Sequence, residues 1–303
     1  MSHRLPYDPS HQAAMIALAQ TDPEAHVHAI DLPWRLSSWA LDDQANIGLW
    51  VDPQATLYAW AVMQAPFWTI DYAFHSAADS ALRSEVWAWA DERARELAGT
   101  VCGRPSWYAS VFAQQTALHE ELEAAGFISQ TDLPVDAWSE VLLTRSTQTP
   151  LPAGSLPPGY TLRPLAGEGE VAAYVKLHRA VFESRSMTEP WRARTLQCPE
   201  HNEDLDLVIE APDGHLAAFC VGWLASNGDI GQIEPLGVAK EHRGVGLGCT
   251  ILAEAERRLH ARGAGQVIVE TDNYREAALG LYAAVGFRMS MEILMCRKDF
   301  ETT

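Results

Sequence analysis

The 303-residue chain is poor in positive charge: 22 lysines and arginines stand against 40 aspartates and glutamates, a formal net charge of −18. A surface of that sign repels phosphate backbones and anionic lipid, so nucleic acid and membranes are set aside as partners. Cysteine is scarce as well. Cys102, Cys198, Cys220, Cys249 and Cys296 are odd in number and far apart, which leaves neither a disulfide framework nor a metal-binding pair, and no metal is expected. No apolar run reaches the ~18 residues of a membrane span, and the opening Met-Ser-His-Arg-Leu-Pro-Tyr-Asp lacks an apolar targeting segment. A soluble, cytoplasmic protein is expected. Two nucleotide-binding signatures are also missing. A P-loop needs Gly-Lys-Ser/Thr, whereas Gly248 is followed by Cys249 and Thr250. A dinucleotide fold needs G-x-G-x-x-G after its first strand, with an acidic residue about 20 positions on; the glycines here are spaced G-x-G-x-G and come late in their domain.

What is present begins at Val238 to Gly248, VAKEHRGVGLG, which ends an apolar run and opens an amphipathic helix. Glycines let the backbone approach a ligand, and the first N–H groups of the helix point into the same space. Those donors, the helix dipole and Arg243 all favour an anion, so Arg243, Gly244, Val245, Gly246, Leu247 and Gly248 suit a pyrophosphate. A tight strand-to-helix turn is the plainer alternative. After the loop, Ile251, Leu252, Ala255, Leu259 and His260 sit at helical spacing, Gly263 to Gly265 break the helix, and Gln266 to Glu270 reads as a strand. Upstream, Tyr160 to Leu165 alternates like a strand, Val171 to Val181 is helical, and Leu205 to Glu210 pairs with Leu216 to Trp223 across the turn Pro212-Asp-Gly214. That order predicts a mixed sheet flanked by helices, an α/β (mixed α+β) fold.

Arg243, Gly246 and Gly248 match Q/R-x-x-G-x-G/A, and the loop resembles the acyl-CoA loop of the GNAT acetyltransferase superfamily. Asn273 to Phe287, with Tyr282, Gly286 and Phe287, resembles that superfamily's closing helix and strand, and Gly231 to Val238 resembles its splayed central strand. The resemblance covers Tyr160 to Phe300. It implies a mixed, mostly antiparallel twisted sheet, acetyl-CoA as cosubstrate, and a small amine as acceptor, in a monomer or homodimer.

The first half reads as a worn copy of the second. Pro33-Trp34-Arg35 recurs as Pro190-Trp191-Arg192, and Pro53, Leu57, Ala59, Trp60 and Val62 line up with Pro212, Leu216, Ala218, Phe219 and Val221. Gly126-Phe127 likewise matches Gly286-Phe287. Where the second half has its glycine loop the first has His75-Ser-Ala-Ala-Asp79, and Leu122 stands where Tyr282 does. Two tandem GNAT-like domains are therefore expected: residues 1–148, degenerate and without cofactor; a Pro-rich linker, 149–158; and a catalytic domain, 159–303. The linker is either semi-rigid or an ordered surface connector. Residues 1–150 hold 7 basic and 19 acidic residues, net −12, leaving 15 and 21, net −6, for the rest. The excess reads first as solubility and second as attraction for a cationic amine. Nine of the eleven tryptophans also lie in the first half and are expected in packing; Trp87 and Trp89, two apart on a helix, cannot share a face.

Amide formation from a thioester needs a proton removed from the amine, a stabilised oxyanion and a proton for the departing thiolate. The resemblance assigns Tyr282 as the acid and Glu234 as the base, working through water. A buried carboxylate would be raised toward the range of a useful base. By the two-residue period of a strand, Gln232, Glu234 and Val238 are expected on one face, with Pro235 interrupting the ladder. Backbone N–H groups of Leu236, Gly237 and Val238 are the expected carbonyl donors. Asn273 stands nine residues before Tyr282, not the family's seven, where Arg275 lies, so its cofactor contact would come from a longer loop. Acceptor recognition is assigned to Phe182–Trp191, with Glu183, Arg185, Ser186 and Gln232 as candidates; Thr188 is an expected N-cap. Three functions follow: small-molecule N-acetylation, acylation of a thiol-metabolite precursor as in the mycothiol synthases, and a non-catalytic acyl-CoA sensor.

Overall fold

The computed structural model describes residues 3–23, 25–149, 151 and 154–300. In chain order the elements of the first half are β1 (His3–Leu5), α1 (Gln12–Gln20), α2 (Leu32–Leu36), β2 (Ile47–Val51), β3 (Leu57–Gln64), β4 (Thr69–Phe74), α3 (Ser80–Leu97), β5 (Ser106–Phe112), α4 (Thr116–Ala124), β6 (Ile128–Ser129) and β7 (Glu140–Ser146). The second half adds β8 (Thr161–Pro164), α5 (Val171–Phe182), α6 (Glu189–Gln197), β9 (Asp206–Glu210), β10 (Leu216–Leu224), β11 (Ile230–Val238), α7 (Leu247–Ala261), β12 (Gln266–Asp272), α8 (Glu276–Ala284) and β13 (Arg288–Asp299).

The chain forms two compact units, one of Met1–Glu140 with Met291–Thr303, the other Val141–Ser290. This division departs from the expected 1–148 and 159–303. Strand order is β1-β2-β3-β4-β5-β13 in the first unit and β8-β9-β10-β11-β12-β7 in the second, so each sheet takes its sixth strand from the other half of the sequence. Local pattern shows that a segment is a strand but not which edge receives it, and the boundary expected at the prolines could not register the exchange. Within the connector, Leu156 packs on the second unit's core, and a side chain at Gly154 would collide with Thr250, so this part is ordered against α7. Pro150 and Pro152 lie outside the described residues.

The internal repeat extends to strand register. In the first unit Ile47 faces Val62 and Trp50 faces Ala59; in the second Asp206 faces Val221 and Ile209 faces Ala218, with an irregularity at the same place in both. On the other side, Ala59 faces Phe74 and Ala61 faces Tyr72, as Ala218 faces Val238 and Cys220 faces Leu236. Each unit pairs its strands antiparallel across this region and then has one parallel pair, β4 with β5 and β11 with β12.

Side-chain chemistry explains the helices. Thr188 caps α6, its hydroxyl accepting from Trp191 N at 3.2 Å, with Pro190 in the first turn. The stripe Ile251, Leu252, Ala255 and Leu259 of α7 is buried, while His260 at its end is exposed. Gly231 lets that helix lie close, since a Cβ there would come within 2.8 Å of Leu259. In the first unit Trp87 meets Tyr72, Phe74 and Phe127, whereas Trp89 meets Trp50, as expected for residues on different faces of α3.

Candidate active site

Strands β11 and β12 begin as a parallel pair, Ile230 with Gln266 through Gln232 with Ile268, and their pairing ends there. Both strands continue, to Val238 and Asp272, so a gap opens inside the sheet. Across β10 the register slips: Ile233 faces Gly222 but Leu236 faces Cys220, so Glu234 and Pro235 together oppose Val221 as a bulge. One extra residue inverts the parity beyond it. Gln232 faces Trp223 and Gly237 faces Phe219, on the side covered by α5, whereas Val238 lies on the α7 side, 3.6 Å from where a Cβ of Gly248 would be. The expected common face of Gln232 and Val238 is therefore corrected, because the two-residue period assumes an unbroken ladder.

The loop from Val238 to α7 is open. Arg243 spans it, Nε donating to Val238 O at 3.0 Å, and is itself exposed. Gly244 and Gly246 have φ of +80° and +87°, and a Cβ at either would meet nothing within 4 Å. Gly246 is the N-cap of α7 without any side-chain cap, which leaves the first amides of a helix whose dipole favours anions pointing into that space. Val245 is half exposed, while Leu247 is buried in the core and anchors the helix. Gly237 has a packing reason of its own: a Cβ there would lie 2.5 Å from Phe219 Cζ and 2.6 Å from Val181 Cγ1. Leu236, half buried, continues the α7 side of the strand.

Glu234 is half buried at the bulge, its backbone carbonyl accepting from Trp223 Nε1 at 2.7 Å. Tyr282 is buried on α8 with its ring 5.6 Å from Phe287; burial first, then the charges of Glu234 and Cys220, push its phenol well above the ordinary range, and Arg275 pulls the other way. The phenol thus keeps its proton at neutral pH, the state required of an acid. Asn273 is exposed in the turn before α8, and Arg275 stands at the N-cap position of that helix without a side-chain cap, pairs with Asp272 and reaches within 5.9 Å of the Phe182 ring.

On the α5 side lies a buried polar group that sequence reading missed. Tyr174 packs 5.1 Å from Phe219, its hydroxyl buried without a partner among the described residues and its acidity lowered by burial. His178 stacks on Phe219, and burial, with Arg192 and Arg179 nearby, drives its pKa down to about 3. The Arg192 guanidinium sits 3.7 Å from the Tyr174 ring centre and pairs with Asp206, which also receives His201 Nε2 at 2.9 Å. Only the repeated Pro-Trp-Arg pointed to this cluster; Tyr174 and His178 read simply as helical positions. In the segment expected to recognise the acceptor, Glu183 ends α5 with φ +50°, Arg185 is exposed and Ser186 bonds to Ser184, while Gln232 is buried on β11. Among the described residues no cluster of three or more His, Cys, Asp or Glu side chains could hold a metal ion, and no helix is long and apolar enough to cross a membrane.

Residues 168–287 match the model of the acetyltransferase (GNAT) family. The mycothiol acetyltransferase of Kineococcus radiotolerans is 36% identical over 135 residues, 43% of each chain. That of Sanguibacter keddieii is 30% identical over 202 residues, 61% of this chain and 63% of the relative. The chain thus spans about half the length of the curated relatives it matches. Among solved structures, a GCN5-related N-acetyltransferase from Sphaerobacter thermophilus superimposes with TM-score 0.65 at 19% identity, covering 98% of this chain and 95% of the other. A tandem GNAT protein from the clavulanic acid biosynthesis pathway does so with TM-score 0.66 at 15% identity, covering 99% and 98%.

Proposed function

We propose that the chain, whose residues 168–287 match the acetyltransferase (GNAT) family model, transfers the acetyl group of acetyl-CoA directly to a primary amine of a small molecule. The observation that carries this reading is the gap between β11 and β12, with an uncapped helix N-terminus at one end and Glu234 and Tyr282 beside it. The pantetheine arm would enter the gap, with its pyrophosphate on Arg243 and the amides of Gly244 to Gly248. Leu236, Gly237 and Val238 would offer backbone N–H groups to the thioester carbonyl. In the transfer the amine nitrogen bonds to the acetyl carbon as the carbon–sulfur bond breaks. The amine proton passes to the Glu234 carboxylate, and the thiolate takes the Tyr282 proton; solvent exchange resets both groups.

Thermal shift with acetyl-CoA, CoA and NAD tests the first half of the reading: the two CoA forms stabilise and NAD does not. No shift at saturating acetyl-CoA overturns it. CoA release across a panel of primary amines tests the second half, and no release with any amine leaves an acyl-CoA-binding protein without transfer. The relatives named mycothiol acetyltransferases favour an amine on a thiol-metabolite precursor as the acceptor within that panel.

The first unit supports a reading without cofactor, because its own side chains occupy the corresponding positions. Phe74 N, in the register of Val238 N, donates to His26 Nε2 at 3.1 Å. Tyr72, in the register of Leu236, donates across β4 and β5 to Ser110 O at 2.6 Å. The Asp79 carboxylate caps α3 through Leu82 N at 2.9 Å, filling the anion position that α7 leaves open. We expect one CoA per chain by isothermal titration; two would refute the closure.

A further inference from the structure

Helix α7 buries the stripe Ile251, Leu252, Ala255 and Leu259, and its opposite face carries Thr250, Ala253, Arg257 and His260 at helical spacing. A surface helix would give that whole face to water. Here Thr250 and Ala253 are buried, and Gly154 of the connector lies so close that a side chain there would collide with Thr250. The cover is incomplete: between α7, β8 and the connector lies a cavity of about 420 Å³, walled by Leu156, Leu162 and Ala253 and by the polar side chains of Thr147, Thr250 and Glu256. All six residues belong to the second unit, and none is among those assigned above to the cofactor or the acceptor.

The three polar side chains are all buried but differ in how they are used. Thr147 donates to Ala264 O at 2.7 Å and Thr250 to Gly246 O at 3.0 Å, so both hydroxyl protons are engaged inside the protein. Glu256 Oε1 accepts from Arg145, and the Leu151 N–H acts on the same carboxylate. Glu256 Oε2 is buried and has no hydrogen-bond partner among the described residues. Such an oxygen has lost its water without gaining a donor, and a donor brought into the cavity recovers that loss. Charge narrows the class of donor. Arg145 already neutralises Glu256, and Glu254 beside the cavity is matched by Arg257 and Arg258. An ammonium would be set against Arg145 and an anion against Glu256, whereas a neutral O–H or N–H satisfies Oε2 without adding a charge.

We propose that this cavity is a binding site for a neutral small molecule with an apolar body and one hydrogen-bond donor, the donor on Glu256 Oε2 and the body against Leu156, Leu162 and Ala253. Its volume falls within the range of small-molecule sites. The assignment is independent of the acyl-transfer reading.

The test is a methyl NMR titration of the full chain, labelled at leucine and alanine methyls, with menthol and with menthone, which carry a hydroxyl donor and a carbonyl acceptor on the same apolar frame. Menthol should shift the Leu156, Leu162 and Ala253 methyls and bind about tenfold or more tighter than menthone. In Glu256→Gln the amide oxygen stays with Arg145, so the NH₂ group turns to the cavity and the order should reverse, menthone becoming the tighter ligand. Arg145 keeps Val285 O, Ser146 O and Thr149 O as acceptors in that variant. Ala253→Leu, which fills the cavity, should abolish the menthol titration while the melting temperature stays at or above that of the wild type. Shifts with neither probe, shifts confined to methyls elsewhere, or equal affinity for the two probes would overturn the proposal. So would an unchanged order in Glu256→Gln, or an Ala253→Leu protein that binds menthol as the wild type does. Should Glu256→Gln not fold, the order of the two probes on the wild type together with Ala253→Leu decides.

Discussion

Replacing Gly246 by valine separates the proposed anion-binding role of the loop from its architectural one. Gly246 has φ +87° and no atom within 4 Å of the position a Cβ would take, so in the free protein the substitution costs only the left-handed backbone conformation, about 1–2 kcal/mol. For a unit of 150 residues that is a fall of roughly 2–8 °C in melting temperature. The same side chain would stand in the space that the first amides of α7 face. Losing two charge-assisted hydrogen bonds of about 1.5–3 kcal/mol each gives 3–6 kcal/mol, or ~100-fold to ~10,000-fold in Kd. Isothermal titration with CoA, beside calorimetric unfolding of the free protein, measures both numbers on one sample. A CoA affinity within threefold of wild type would refute the pyrophosphate clamp, and a free-protein destabilisation far above the conformational cost would show that the loop is packed, not open.

Further outcomes follow from the same geometry. Tyr282→Phe and Glu234→Gln should each lower CoA release by ~10²–10⁴ while leaving CoA affinity intact, and equal rates in all three proteins would remove both assignments. Gly237→Ala should destabilise by about 1–3 kcal/mol, because its Cβ is driven into Phe219 and Val181; an unchanged melting temperature would contradict the packing. His178 bears on acid stability. With its folded pKa near 3 and an ordinary value of 6.5, the unfolded chain takes up a proton that the folded protein refuses, so stability present above pH 6.5 is lost progressively down to about pH 3. His178→Phe should flatten that decline in a series of melting curves, and an identical slope would show that His178 does not contribute to it.

Much of the second unit was legible as local pattern. The Pro212–Gly214 hairpin, the Thr188 cap and the buried stripe of α7 depend on contacts a few residues apart, which spacing and residue type record directly. The left-handed conformations of Gly244 and Gly246 belong to the same class, since glycine tolerates them at little cost. Failures came where pairing partners decide. The bulge at Glu234–Pro235 moved Gln232 to the opposite side from Val238, because parity counts only along an unbroken ladder. Tyr174 and His178 looked like ordinary helical positions until Phe219 and Arg192 were seen beside them.

By itself the sequence determined the type of each main element of the second unit, the glycine loop before α7, the two-fold repeat and the absence of that loop from the first copy, since all are properties of neighbours along the chain or of one half compared with the other. Only the tertiary structure decided that β7 and β13 change places between the units, that the gap begins after Gln232, and that Arg192 closes on Asp206 while Arg35 closes on Asp71. These are choices among chemically similar partners, settled by which strand edge and which buried charge lie within reach.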